Sequence, residues 1–171
     1  WLDLSRRCLS VLCGAQHAAQ AITVADQILA RLDDANLAAQ LETEAASALW
    51  LSGRVHDLIS RIERTLRSSD LDETVIVRLR AAYALARTRT LPGEPAAKEA
   101  ASAVEQARDS GDREALTLAV QAAGEASRNQ GCHQVALRHF RELRALTGAP
   151  YLAEEITALQ FVDRYDHAQA L

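Results

Sequence analysis

The chain has 171 residues, 49% apolar and 25% charged, a globular balance that excludes a disordered tract. Its formal net charge of −4 leaves no basic surplus to neutralise phosphates, so nucleic acid binding by this segment is not expected. Only 4% of the residues are aromatic, and 7 Gly and 3 Pro are too few for a protein of many short strands, so core volume must come from Ala, Leu, Val and Ile on closely packed helices.

The cysteines are Cys8, Cys13 and Cys132. An odd number without a CxxC pair fits neither a disulfide framework nor a structural zinc site, and points to buried free thiols in a reducing cytoplasm. No apolar run reaches the length of a membrane span, and no basic-then-apolar start resembles a signal peptide; a cytoplasmic protein with no membrane partner is expected. The chain starts at Trp1 and contains no Met, which reads as a piece of something longer. Lys98 is the single Lys beside many Arg, a bias of GC-rich bacterial genomes.

In chain order, spacing of apolar residues predicts helices over about 2–13, 15–33, 36–52, 54–68, 71–91, 95–110, 112–130, 132–147, 150–162 and from 164 onward. The breaks are Gly14, Asp33-Asp34-Ala35-Asn36, Gly53, Ser68-Ser69-Asp70, Pro92-Gly93-Glu94-Pro95, Ser110-Gly111-Asp112, Gly131 and Thr147-Gly148-Ala149-Pro150. Gly111 suits a left-handed helix end and Asp112 the next cap. Asp70 with Glu73 forms an acidic variant of the capping box. Pro95 and Pro150 suit first helical turns. No linker is long enough to divide the chain, so residues 1–171 are read as one domain.

The second helices of successive pairs carry apolar stripes at i, i+4 and i+7: Ala18, Ile22, Ala25; Leu58, Ile62, Thr65; Ala97, Ala101, Val104; and Ala136, Phe140, Leu143. Their first members lie 40, 39 and 39 apart, the mark of a solenoid. Val120-Gln121-Ala122-Ala123-Gly124-Glu125-Ala126-Ser127, followed by Gly131, His133, Ala136, Leu137, Phe140 and Leu143, resembles a tetratricopeptide repeat. Gly124 matches the small residue at the close approach of a helix pair, Gly131 the turn, and His133 an aromatic packing position. Ala45, Ala46, Leu49, Gly53, Val55, Leu58 and Ile62 repeat the pattern. Asp163, Tyr165 and Ala168 form a partial further copy, while Gly14 to Ala18 match loosely and the third unit has Pro92-Gly93 at its turn. The resemblance implies an all-α, right-handed α-solenoid of antiparallel helix pairs, with four to five units and a period near 39 rather than the common unit of about 34 residues.

The long unit and Ala/Leu/Arg-rich style also resemble the sensor superhelix of LuxR-type, MalT-like bacterial transcription regulators. That resemblance implies an ATPase module before this segment, a helix-turn-helix domain after it, and sensing of an inducer or a protein partner by the superhelix.

Signals for chemistry are missing. There is no GxxxxGK[ST], GxGxxG, HExxH or ExxH, so no cofactor, no metal and no enzymatic activity are expected. Asp163, Asp166 and His167 read as a solvated helix start, His133 and His139 fall on different helix faces, His17 and His56 as turn-proximal residues, and Cys132 lacks an orienting partner for nucleophilic chemistry.

Repeat stacking would put the first helix of each pair on a concave wall, the usual binding surface of solenoids. Gln40, Thr43, Ser47 and Trp50 then line it from the second unit, and Gln121, Glu125 and Arg128 from the fourth. Arg80, Tyr83 and Arg87 form a stripe in the third unit expected to face the same way. Trp50 is either a groove anchor or a packing residue against the next unit. A groove of this composition accepts a protein or peptide segment, or a small polar inducer. The alternative is a stand-alone adaptor or co-chaperone binding peptide tails, for which only Arg80, Arg87 and Arg128 are available as inward cations. A truncated solenoid end also exposes apolar surface, through which a homodimer would form.

Overall fold

The computed structural model describes residues 7–8, 17–68, 70–91, 93–148 and 161, and all regular structure among them is helical. Seven helices follow in order: α1 (Ala18–Leu29), α2 (Ala35–Leu51), α3 (Val55–Thr65), α4 (Glu73–Thr90), α5 (Glu94–Ser110), α6 (Arg113–Asn129) and α7 (His133–Thr147). Each lies within four residues of its predicted boundaries. The helices expected over 2–13, 150–162 and from 164 fall almost wholly outside the described residues, as do Cys13, Asp163, Asp166 and His167.

Helix ends follow local chemistry. Asp34 caps α2 by accepting from the Leu37 amide at 2.9 Å, and Asp112 caps α6 by accepting from the Ala115 amide at 2.7 Å. Gly111 ends α5 at φ 68, a left-handed conformation that favours Gly over any residue with a Cβ. Pro95 stands in the first turn of α5, where no amide proton is needed. Asp70, the expected cap, is not the residue at which the helix starts. Helix α4 begins after Asp72, whose side chain makes no cap bond. The α3–α4 loop is instead held by Asn36 of α2, which donates to the Asp70 carbonyl at 3.0 Å and accepts from the Asp72 amide at 2.7 Å.

The α2–α3 and α6–α7 turns share one hydrogen-bond scheme. The Gly53 amide donates to the Trp50 carbonyl and the Arg54 amide to the Leu49 carbonyl; the Gly131 amide donates to the Arg128 carbonyl and the Cys132 amide to the Ser127 carbonyl. The two glycines have φ of 75 and 76. Both turns therefore close in the same left-handed manner, satisfying carbonyls that a helix end leaves without partners.

Packing runs between helices one or two places apart in the chain. Helix α2 touches α4 and α4 touches α6, while α1 lies on α2, α3 on α2 and α4, α5 on α4 and α6, and α7 on α6. Two long-range ties join alternate helices through side chains. Arg61 of α3 bridges Asp26 of α1 at 2.7 Å and Glu42 of α2 at 2.8 Å, and Arg108 of α5 reaches Glu142 of α7 at 2.8 Å.

The core divides into two clusters that meet at α4. Val75, Leu79, Ala82 and Ala86 join Ala21, Ile22, Leu41, Leu49, Leu58 and Ile62 in one; Val77, Ala81, Ala84 and Leu85 join Ala100, Val120, Phe140 and Leu143 in the other. Trp50 and Leu118, both half-buried, pack against both clusters. On α3 and α7 the predicted stripes are buried, except that Thr65 is half-buried; on α1, Ile22 and Ala25 are buried and Ala18 is half-buried. On α5 the expected stripe holds in part: Val104 is buried and Ala97 half-buried, but Ala101 is exposed, and the buried face is completed by Ala96, Ala100, Ala103 and Ala107. The doublets Ala96-Ala97 and Ala100-Ala101 are degenerate in spacing, so periodicity alone cannot choose between them. Counted from Ala18, Leu58, Ala96 and Ala136, the intervals are 40, 38 and 40.

The thiols depart from expectation. Cys8 and Cys132 are exposed rather than buried. Cys132 occupies the N-cap of α7, a turn position outside the buried stripe. His133 has the expected packing role, its ring stacking on Phe161 with centroids 4.5 Å apart.

Gly124 is the tightest point of the α6–α7 contact. A Cβ placed there would lie 2.6 Å from Cε1 and 3.0 Å from Cδ1 of Phe140, the largest fully buried side chain. Gly124→Leu is therefore expected to cost about 1–3 kcal/mol in urea denaturation. Phe140→Leu in the same background should recover part of that loss, because it removes the ring that the new side chain meets. Additive losses in the double variant would show that the two positions do not collide.

Candidate functional site

Side-by-side α2, α4 and α6 form one continuous face. An open cleft of about 730 Å³ at its edge is lined by Thr43 and Glu44 of α2, Arg78 of α4, Arg113, Glu114, Thr117 and Leu118 of α6, and by Leu146 and Thr147 at the end of α7. It is there because α4 lies between α2 and α6.

Arg78 dominates its electrostatics. The guanidinium donates through Nε at 2.9 Å and Nη2 at 2.7 Å to Asp112 Oδ2, and Nη1 lies 2.5 Å from Glu114 Oε2. Asp112 also caps α6, so one carboxylate anchors the α6 start and ties it to α4. Burial alone would raise the Asp112 pKa. The hydrogen bonds from Arg78 and from the Ala115 amide outweigh burial and hold it below the usual carboxylate range. The Arg78 pKa is raised, first by its bond to Asp112.

The predicted residues fall into three groups. Gln121, Glu125 and Arg128 lie along α6 on the same helical face as Leu118 but do not line the cleft, and Arg128 is bound to Glu125 one turn away. Thr43 lines the cleft and donates to the Gln40 carbonyl at 2.6 Å, which places Gln40 beside it. Ser47 lies on α2 with its side chain outside the described set.

Trp50 takes the packing alternative. Half-buried against both core clusters, it is covered by the Arg89 guanidinium 4.4 Å from the ring centroid, and Arg89 Nη1 donates to its carbonyl at 3.2 Å.

Arg80, Tyr83 and Arg87 do not share the face with Thr43. They turn toward α3 and α5 and line a separate cleft of about 570 Å³ with Leu66, Lys98 and Gln106. The Tyr83 hydroxyl donates to Glu63 Oε1 of α3 at 3.0 Å, and Arg80 Nη1 donates to Gln106 Oε1 of α5 at 3.0 Å. The α4 residue that faces α2 and α6 is Arg78. At about 100° per residue, Arg78 and Arg80 project some 200° apart, so a small error in register sends the stripe to the other side. Arg78, Glu114, Thr117 and Leu118 were not singled out from sequence. The signal for Arg78, Glu114 and Thr117 was membership of the polar strips between apolar positions, which many surface residues share, and Leu118 read as one more apolar helix position.

Two ring nitrogens, Nδ1 of His133 and Nδ1 of His139, are buried without hydrogen-bond partners. Burial lowers the His139 pKa, with Arg108 and Arg138 adding to the effect and Glu142 opposing it. Among the described residues no three His, Cys, Asp or Glu side chains gather in a metal-binding arrangement, and no helix is long and apolar enough to cross a membrane.

The Arg78–Asp112 link carries a pH dependence. Because the folded pKa of Asp112 is depressed, its contribution is complete above the unfolded carboxylate pKa and lost as pH falls through the lower folded value. Asp112→Asn keeps an acceptor at the cap but removes the charge. It is expected to cost about 1.5–3 kcal/mol at neutral pH. The gap to the parent chain should close as pH drops below about 4, as read from urea midpoints at the two pH values. A gap independent of pH would mean that the charge of Asp112 does not link the helices.

No protein-family model matches the chain, and comparison with curated proteins and with solved structures gives no match.

Proposed function

We propose that this chain is a tetratricopeptide-like right-handed α-solenoid that holds a partner on the face shared by α2, α4 and α6. The observation that carries the reading is the cleft around Arg78, where three first helices lie side by side and leave Thr43, Thr117 and Leu118 open to a second molecule. The matching glycine turns at Gly53 and Gly131 support the repeat, as do buried stripes at intervals of 40, 38 and 40. So does packing confined, among the described helices, to those one or two places apart in the chain, as in solenoids. The partner is a protein segment or a small polar molecule, and no catalytic step is assigned.

Within that reading we assign the chain to the sensor or interaction region of a LuxR-type, MalT-like regulator acting in the cytoplasm. The support is the sequence resemblance: a unit longer than the common repeat and an Ala/Leu/Arg-rich style. Sequencing the full-length gene should find a phosphate loop upstream and a helix-turn-helix downstream; their absence would remove this family from consideration. An adaptor that clamps a peptide carboxylate is less well supported. On the proposed face Arg78 is engaged by Asp112 and Glu114, and Arg128 by Glu125, so neither cation is free to receive a tail.

Thr117→Arg combined with Gln121→Arg adds bulk and charge to the face without touching the buried stripes. Partners co-purifying with the parent chain from its host are expected to be lost in this variant while helical content and melting temperature hold. Retention of the same partners would place the binding surface elsewhere.

A further inference from the structure

The polar stripe of α4 on the side away from Arg78 is distinguished by its charge balance. Among the described residues Arg80 makes no ion pair, and its Nη1 donates to the neutral Gln106 amide. Lys98 is exposed and has no ion pair or hydrogen bond among the described residues. Arg87 Nε lies 3.4 Å from Glu99 Oε2 and is buried without a hydrogen bond. By contrast, Arg61 and Arg78 are each held by two carboxylates. Three cations, Arg80, Arg87 and Lys98, thus line one cleft with Glu99, while Glu63 is engaged by the Tyr83 hydroxyl, in a chain whose net charge is −4.

The space between them has the form of a ligand site. It lies between the second helices α3 and α5, which do not pack on one another among the described residues, and α4 forms its floor. At about 570 Å³ it falls in the range of small-molecule pockets. Leu66, Ala103, Pro95 and the Tyr83 ring supply apolar surface. Ser102 Oγ accepts from Gln106 Nε2 at 3.1 Å, which leaves its own proton available as a donor.

We propose that this cleft binds a small organic anion, a carboxylate or phosphate monoester with an apolar body. The body would lie on Leu66, Ala103 and the Tyr83 ring, and the anionic oxygens would take Arg80, Arg87 and Lys98. Guanidinium groups suit oxyanions because two parallel N–H bonds can reach one group. This site is independent of the α2, α4 and α6 face.

The test is calorimetric titration of the purified chain with phenyl phosphate and with benzoate, using inorganic phosphate and benzyl alcohol as controls. At least one aromatic anion is expected to bind saturably, with Kd between about 1 μM and 1 mM, while inorganic phosphate and benzyl alcohol bind more weakly. Arg80→Gln with Lys98→Gln, both exposed positions, should weaken the aromatic anion at least about tenfold, with salt reducing binding to the parent chain. Thr117→Arg with Gln121→Arg should leave it unchanged, which separates this cleft from the partner face. No saturable binding of either aromatic anion would overturn the proposal. So would equal affinity in the Arg80/Lys98 variant, or benzyl alcohol binding as tightly as the anions.

Discussion

Everything in this arrangement depends on α4 being apolar along two separate strips. Val75, Leu79, Ala82 and Ala86 feed one core cluster; Val77, Ala81, Ala84 and Leu85 feed the other. A surface helix of a globular protein carries one apolar stripe and needs cover on one side. A helix with two must be covered from both, so the helices before and after α4 cannot fold back onto a single side. What remains of its circumference is two polar strips about 200° apart, one bearing Arg78 and the other Arg80, Tyr83 and Arg87. Both clefts are consequences of that division.

Small side chains decide how closely the helices approach. The buried set is dominated by alanine, which loses no rotamer freedom on burial and lets helix axes come together. The cost of such a core is sensitivity to volume. Phe140 is accommodated because Gly124 opposite it has no side chain at all. Polar groups then take positions that apolar contacts leave open. Thr88 is almost fully buried, yet its hydroxyl donates to the Leu85 carbonyl at 2.7 Å, and its own carbonyl accepts from Asn129 of α6 at 2.9 Å. Asn36 holds the α3–α4 loop in the same way, as a side chain satisfying the backbone of another element.

The helices were legible in the sequence because their signals are local: Gly111 and Asp112 act within one turn, and apolar residues at helical spacing need only the chain itself. Legibility stops where a choice is degenerate. Ala96-Ala97 and Ala100-Ala101 offer two equal stripes, and only contact with α4 and α6 selects Ala96 and Ala100. The same ambiguity hid the α4 face, since Arg78 and Arg80 are equally good polar positions until neighbours are in place. Asp70 and Glu73 matched a cap pattern, but Asn36, more than thirty residues away, fixes that loop. The sequence also left open whether Trp50 anchors a ligand or packs, and the answer lies in Arg89, which covers the ring from α4.

The two polar strips of α4 differ in what a bound molecule would have to do. On the α2, α4 and α6 face, Arg78 already has Asp112 and Glu114 as partners, so a newcomer gains little by offering a carboxylate and must displace an existing ion pair to do so. Recognition there falls to shape, to the Thr43 and Thr117 hydroxyls as acceptors, since each donates its proton to a backbone carbonyl, to the Gln121 amide, and to apolar contact with Leu118. Between α3 and α5 the cations lack equal partners, so electrostatic attraction can contribute directly and binding should be sensitive to salt. Affinity on the first face therefore rests on complementarity of form, and on the second on charge. A single helix supports both because its polar residues occur on two sides, each flanked by the strips that hold the core together.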